Sequence, residues 1–212
     1  MNAREAILKR IKAADPSFAS APSGTEPVAV PVMSSEDRLN EFKKRFLAVG
    51  GVYHQVSEPD AIRPVLAEIL ADKKGLKVAA DDSAVSIVPN LAEYFQDLGM
   101  IVTPPLPEDA RDAAVGITAS ERALAYSGSL LVTSLHRGEL AASLLSPVHI
   151  ALTPRSVLVD GVPDLLACLD RLGWPRGAAL ITGPSRTADI ELTLVTGVHG
   201  PSEVHVILLD YV

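Results

Sequence analysis

The sequence has 212 residues, of which 48% are apolar and 4% are aromatic, and its formal net charge is −7. This length allows one domain with a substantial and mostly aliphatic core. The acidic balance argues against nucleic-acid binding, which relies on clustered Lys and Arg. The apolar runs are all shorter than the roughly 20 residues that cross a bilayer, so we expect no membrane span.

The first 33 residues differ in character from the rest. Residues 3 to about 14 predict a short amphipathic helix, with Ile7, Leu8 and Ile11 on one face. Residues 16–32 are rich in Pro, Ser, Ala and Gly, which is typical of an extended linker. We therefore interpret residues 1–33 as a helix and linker and residues 34–212 as one α/β domain. Two interpretations of the helix stay open: an arm that docks on a second copy in a homodimer, or a loose tail.

From residue 34 onward, helical and strand patterns alternate. The sequence predicts helices at 35–49, 58–74, 90–99, 118–125, 139–145 and 162–172, and strands at 52–56, 76–80, 100–103, 114–117, 130–133, 148–152, 178–181 and 204–209. Alternation of this kind is the signature of an α/β sheet. An aliphatic core suits parallel strands covered on both faces. The predicted architecture is therefore a three-layer sheet with helices on both faces.

Two loops near the C-terminus carry most of the reactive side chains. The first reads GPSRTADIE from Gly183 to Glu191, and the second reads GVHGP from Gly197 to Pro201. Glycine lets the backbone approach a ligand closely. Arg186, between Ser185 and Thr187, suits a bidentate clamp on a carboxylate or phosphate. A helical turn that begins at Thr187 would add free backbone N–H groups, so the sequence predicts an anion-binding site.

The same loops also have a structural interpretation, in which Arg186 and Asp189 form an ion pair that braces the first loop. His199 stands between two glycines and suits proton transfer, a hydrogen bond to an oxyanion, or a bond to the backbone of a turn. The candidate catalytic residues are His199 and Asp189. The candidate binding residues are Gly183, Ser185, Arg186, Thr187, Ser127, Gly128, Ser129, Gly197 and Gly200.

The remaining histidines and the single cysteine form no recognisable metal or cofactor pattern. His149 lies in an apolar strand and is expected in the core, whereas His205 alternates with Val204 and Val206 and is expected at the surface or at an interface. Cys168 cannot form a disulfide within the chain or hold an iron–sulfur cluster alone. Zinc, Walker and dinucleotide-binding motifs are absent. We therefore expect no resident cofactor or metal, and a reducing, cytoplasmic location.

The two C-terminal loops are similar to the signature of the LUD-domain family, the family of lactate utilization protein C. Earlier segments agree with this resemblance, at 116–118, 125–129 and 144–150. The stretch that typically reads Ala-Glu-Thr-Gly-Thr in the family reads Ala-Tyr-Ser-Gly-Ser here. Tyr126 therefore replaces the family's acidic residue, while Ser127 and Ser129 keep the hydroxyls.

The resemblance implies the fold of ribose-5-phosphate isomerase, glucosamine-6-phosphate deaminase and coenzyme A transferases. It also implies a component of an L-lactate utilization system that supports oxidation of L-lactate to pyruvate with iron–sulfur partner proteins. Arg186 would then clamp a small carboxylate or phosphate, Asp189 would orient Arg186 or His199, and His199 would meet the 2-hydroxyl or carbonyl. Two alternatives stay open: a stand-alone isomerase or transferase acting on a phosphorylated or coenzyme A-linked metabolite, and a non-catalytic anion-binding assembly subunit.

Overall fold

The computed structural model describes residues 3–13, 30–73, 75–134, 139–188, 194–196 and 200–212. Helices in these ranges are α1 (Ala3–Lys12), α2 (Ser35–Ala48), α3 (Ile62–Ile69), α4 (Asp82–Ile87), α5 (Leu91–Asp97), α6 (Pro107–Asp112), α7 (Glu139–Leu145) and α8 (Val162–Leu172). Strands are β1 (Val52–Val56), β2 (Lys77–Ala80), β3 (Ile101–Thr103), β4 (Val115–Ala119), β5 (Arg122–Leu124), β6 (Ser129–Thr133), β7 (Val148–Pro154), β8 (Leu158–Val159), β9 (Ala178–Ile181), β10 (Arg186–Ala188), β11 (Leu194–Thr196) and β12 (Glu203–Leu209).

Six parallel strands form the main sheet, in the order β1-β12-β7-β4-β2-β3. Parallel neighbours need long crossover connections, which the helices between them supply. The chain goes from β2 outward to β3, returns to β4, and then goes in the other direction to β7. The connections that leave the adjacent strands β2 and β4 therefore run toward opposite edges of the sheet.

Both faces of the main sheet are covered, because alternate residues of each strand point to opposite sides. On one face, Ile117 and Ile150 belong to an apolar cluster with Leu66 of α3 and Phe95 of α5. The other face packs against a second cluster, which contains Phe42 and Phe46 of α2 together with strand residues Ala151, Val206 and Leu208. The predicted three-layer α/β architecture is confirmed.

A smaller sheet with the strand order β8-β5-β6-β9 lies over the second face. Alternate residues of β5 and β6, such as Ala123 and Leu130, join the cluster around α2. Leu124 and Leu131 point the other way, and Leu165 and Leu169 of α8 pack on them. Strands β10 and β11 pair as a separate antiparallel hairpin.

The predicted helix at 118–125 is wrong. Thr118 and Ala119 continue strand β4, which pairs with β7, and Arg122 begins β5. Thr118 followed by Glu121 imitates a helix-capping pattern. The pairing of β4 with β7 and of β5 with β6 outweighs this local signal, because helix propensity is a weaker influence than tertiary contacts.

Several helix boundaries also differ from the prediction. The helix expected at 58–74 consists of a short 3-10 turn at Pro59–Ala61 followed by α3. Helices α4 and α6 were not predicted, and each has six residues. Segments this short cover fewer than two turns, so they show no helical periodicity.

A search for membrane-spanning helices gives none in the part of the chain that the structure describes.

Candidate functional site

The described candidate residues gather around the C-terminal end of α2. This helix leads through Gly50 and Gly51 into β1, so its end lies at the amino end of the parallel sheet. The turn at 127–129 and the loop at 183–186 reach the same place from the smaller sheet. The candidate site is therefore built on the rigid junction of the two sheets.

Gly128 brings the first turn against α2. Its φ angle is 68°, and a Cβ atom built there would lie 2.6 Å from the backbone nitrogen of Phe46 and 2.7 Å from Cβ of Arg45. Its backbone N–H donates to the carbonyl of Leu124 at 2.9 Å. Both the positive φ and the close approach require glycine. The conformation of this turn is thus explained by packing.

Three hydroxyl groups form a chain beside this turn. The Ser129 hydroxyl, which is buried, donates to Ser127 Oγ at 2.8 Å and lies 2.7 Å from Thr182 Oγ1. A hydroxyl has one proton to donate, so Thr182 donates to Ser129. The proton of Ser127 stays available to a ligand. Sequence reasoning missed Thr182, although its place directly before Gly183 was a usable signal.

Gly183 and Arg186 contact the residue that ends α2. Gly183 has a φ angle of 77°, and a Cβ there would lie 2.9 Å from the carbonyl oxygen of Val49. Arg186 Nη2 donates to that same oxygen at 2.7 Å. A cation at a helix C-terminus is favoured by the helix dipole. Arg186 is exposed, and this bond uses one of the five N–H donors of its guanidinium.

The two C-terminal loops touch each other. The backbone N–H of Ser185 donates to the carbonyl of Pro201 at 2.8 Å, and a Cβ at Gly200 would lie 3.1 Å from Cβ of Ser185. The N–H of Ser202 donates to the carbonyl of Pro147 at 2.8 Å, just before β7. The structure therefore brings Ser185 and Gly200 together, as their loop positions suggested.

Other candidates are placed differently or lie beyond the described ranges. Asp189, Gly197 and His199 are outside the described residues. Thr187 lies in β10 and pairs with Val195 of β11, so the helical turn that would have added N–H groups does not begin there. Extended pairing across the hairpin uses the backbone groups that a helical turn would have left free.

Tyr126 stands at the position where the resemblance implies an acidic residue. Its side chain is 48% exposed and lies under Arg45, whose guanidinium carbon is 5.9 Å from the ring centroid. Arg45 is in turn paired with Glu41 at 2.6 Å. These three side chains line a groove of about 430 Å³ along α2. The described side chains thus place a paired cation and carboxylate, Arg45 and Glu41, beside the turn.

Two histidines of the main sheet, His149 and His205, are buried. His149 is fully buried, as predicted, and its Nε2 lies 2.9 Å from Thr118 Oγ1. Burial lowers the pKa of His149 to about 3, so the ring is neutral at neutral pH. His205 is 8% exposed, so the predicted surface position is wrong: β12 is an interior strand covered on both faces. Its Nδ1 lies 3.3 Å from His54 Nε2, and burial lowers the pKa of both rings.

Within the described residues, no group of three or more His, Cys, Asp or Glu side chains is arranged to hold a metal ion. The described part of the candidate site instead offers hydroxyl groups and two exposed guanidinium groups, those of Arg45 and Arg186. This chemistry suits an anion with hydroxyl or carbonyl oxygens.

Comparison with known proteins gives consistent results. The LUD domain family matches residues 39–209. A protein named lactate utilization protein C from Bacillus licheniformis is 31% identical over 195 residues, which cover 88% of this chain and 73% of that protein. A protein of the same name from an Exiguobacterium species is 40% identical over 112 residues. In that alignment the chain spans about half the length of the relative, or 49%.

A solved structure shares the fold. The crystal structure of a DUF162 family protein from Deinococcus radiodurans superimposes with a TM-score of 0.60, covering 84% of this chain and 99% of that one. Its sequence identity is 19%, so the likeness concerns the fold alone.

Proposed function

Because the chain belongs to the LUD-domain family, we propose that it is a component of an L-lactate utilization system. In this proposal it supports oxidation of L-lactate to pyruvate together with iron–sulfur partner proteins. The carrying observation is the alignment with the Bacillus licheniformis relative, which spans most of both chains. A chain with one cysteine cannot supply the ligands of a cluster, so any cluster belongs to the partners.

The loops around the end of α2 form the proposed anion site. Arg186 pairs with the carboxylate of a 2-hydroxy or 2-oxo acid through the guanidinium donors that Val49 does not use. Ser127 offers its hydroxyl proton to the same ligand, because Ser129 already donates to it. Gly183 and Gly128 let the two loops lie close to α2. His199 and Asp189 are the proposed catalytic pair, with His199 meeting the 2-hydroxyl or carbonyl.

A non-catalytic assembly subunit is the second candidate function. Tyr126 stands where the family pattern has a carboxylate, and Arg186 already binds the end of α2. A site that keeps its cation and lacks that acid binds an anion without moving a proton. The same replacement weighs against a stand-alone isomerase or transferase, which needs a free base at this turn, because Glu41 beside the turn is already paired with Arg45.

Growth of the host on different carbon sources tests the proposed role. Deleting the gene should abolish growth on L-lactate and leave growth on pyruvate intact, because pyruvate enters metabolism after the proposed step. The restored gene should recover growth, Arg186→Ala should recover little of it, and Arg63→Ala should recover all of it. Arg63 is a matched control, since it is exposed and pairs with Asp97 away from the loops.

The outcomes separate the parts of the proposal. Unimpaired growth of the deletion strain on L-lactate would contradict the role itself. Full growth with Arg186→Ala, at equal protein abundance, would contradict only the anion site. His199→Ala distinguishes the two candidate functions in a reconstituted system: a catalytic chain loses turnover, whereas an assembly subunit keeps it at saturating ligand.

A further inference from the structure

A second concave site lies at the other end of the main sheet. A cleft of about 340 Å³ opens outside the carboxyl ends of β2, β4 and β7, with Ser83, Ala119 and Ser120 in its wall and Glu121 and Arg122 beside them. This volume is in the range of small-molecule sites. The loops proposed to bind an anion are at the amino end of the same sheet, so the cleft is separate from them.

The strand order marks this position. Strand β2 connects onward to β3, whereas its neighbour β4 connects onward to β7 on the opposite side. Loops that leave two adjacent parallel strands in opposite directions create a crevice between them. Ligands of open α/β sheets bind in this crevice, outside the carboxyl ends of the strands. The cleft wall is formed by the segments that follow β2 and β4.

Buried partners hold the two wall hydroxyls in place. Ser83 Oγ donates to Oδ1 of the buried Asp81 at 2.7 Å and accepts the backbone N–H of Ala119 at 3.2 Å. Ser120 Oγ lies 2.9 Å from Oγ1 of the buried Thr153. These contacts join the ends of β2, β4 and β7 and fix both hydroxyls before a ligand arrives.

The remaining bonding capacity specifies the ligand. A serine hydroxyl has one proton and two lone pairs, so Ser83 retains only one lone pair, an acceptor. Asp82 and Glu121, which also line the cleft, are carboxylates and accept only. Arg122 is the one cation among the lining residues, and the two carboxylates of Asp82 and Glu121 outnumber it. The polar part of this wall, which lies beside apolar Ile87, Pro154 and Val157, favours a ligand with hydroxyl donors and disfavours one with two negative charges.

We propose that this cleft binds a small hydroxyl-rich metabolite with at most one negative charge, through Ser83, Ser120, Glu121 and Arg122. The ligand's hydroxyl groups donate to Ser83 and Glu121. A carboxylate on the ligand, where present, pairs with Arg122. The site is independent of the lactate role, since it shares no residue with the loops around α2.

Calorimetric titration with three probes tests this assignment. D-ribose presents hydroxyls alone, D-gluconate adds one carboxylate, and ribose 5-phosphate adds a doubly charged group. We expect D-gluconate to bind more tightly than D-ribose, and ribose 5-phosphate to bind no more tightly than D-ribose. Arg122→Gln should weaken D-gluconate binding roughly tenfold, as expected for one charge-assisted hydrogen bond.

Two further variants keep the test independent of folding. Glu121→Gln changes a partly exposed side chain and should weaken both D-ribose and D-gluconate, while Arg111→Gln, in α6 ahead of the amino end of β4, should change neither. Three outcomes would overturn the proposal: no probe binds, Arg122→Gln and Glu121→Gln bind as the unmodified chain does, or ribose 5-phosphate binds most tightly. Growth on L-lactate has no bearing on these results.

Discussion

His149 is a neutral imidazole in the interior of the sheet. It is fully buried between β4 and β12, and its described partner is the hydroxyl of Thr118. Desolvation lowers its pKa to about 3 from the ordinary 6.5. A buried imidazolium here would lack a counter-ion, so this residue links folding to pH.

Acidification should therefore destabilise the protein. Between pH 6.5 and 3 the ring of His149 is protonated in the unfolded chain and neutral in the folded chain. The free energy of unfolding therefore has its full His149 contribution above pH 6.5 and falls as the pH drops. At pH 5 the loss from His149 is about 2 kcal/mol. Urea unfolding of the unmodified chain and of His149→Gln at pH 7 and pH 5 measures it.

The difference between the two pH values is the informative quantity. His149→Gln lowers stability at both, but its loss on going to pH 5 should be smaller by about 2 kcal/mol. His54 and His205 are present in both proteins, so to first order their own contributions cancel in this difference. An identical pH dependence in the two would refute the assignment.

Single residues also show the limit of sequence reasoning. An apolar strand around His149 was enough to predict burial. The same alternation placed His205 at the surface, because the sequence does not reveal that β12 lies between β1 and β7. Which face of a strand is covered depends on neighbours far away in the chain.

Helix α2 organises the elements around the loop site. Ser34 caps its N-terminus, Phe42 and Phe46 enter the core, and Arg186 binds the carbonyl at its C-terminal end. Because Gly128 and Gly183 both approach its last turn, the position of α2 sets the position of both loops.

Gly128→Ala should lower the free energy of unfolding through both backbone strain and collision with α2, and a control variant separates the two effects. Alanine at a positive φ costs about 1–2 kcal/mol, and collision with α2 adds about 1–3 kcal/mol. Gly99→Ala is the matched control, since Gly99 has a φ angle of 77° and a Cβ atom added there would meet no other atom within 4 Å. Equal losses of unfolding free energy for the two variants, measured in urea, would show that the turn does not press on α2.

Elements with strong local signals were predicted well. A serine cap and regular apolar spacing located α2 within one or two residues. The segment at 118–125 carries a capping pattern but forms the end of β4 and strand β5, because hydrogen bonding to neighbouring strands decides its conformation. Short helices such as α4, at whose start the N–H of Ala84 donates to Asp81 Oδ1, leave little periodic signal.

At the scale of the molecule, the two apolar clusters share the strands of the main sheet. Phe95 belongs to the cluster on one face and Phe46 to the cluster on the other. Each strand contributes alternate residues to both. Loss of either cluster therefore exposes one face of the same hydrogen-bonded unit.

We expect Phe46→Ala and Phe95→Ala each to lower the unfolding free energy by about 3–5 kcal/mol. Each should still unfold in one calorimetric transition, with equal calorimetric and van't Hoff enthalpies. A second transition in Phe46→Ala alone would show that the smaller sheet unfolds separately. The interpretation of residues 34–212 as one domain would then be wrong.

Local sequence was enough to predict the loops of the candidate site but not how they come together. Loops rich in Gly, Pro and polar residues were recognisable between strands. Their meeting at the end of α2 follows from the pairing of β6 with β9 and of β1 with β12, which no single segment encodes. The cleft at the carboxyl ends went unnoticed for the same reason, since it depends on β2 and β4 being neighbours.

The length of β7 has a further consequence. Its seven residues separate the two ends of the sheet by roughly 23 Å. A protein partner seated on the loops around α2 would leave the opposite opening in contact with solvent. Small molecules could then enter and leave the cleft while the assembly stays intact. Ligand exchange at one end of the sheet and partner binding at the other therefore need not compete.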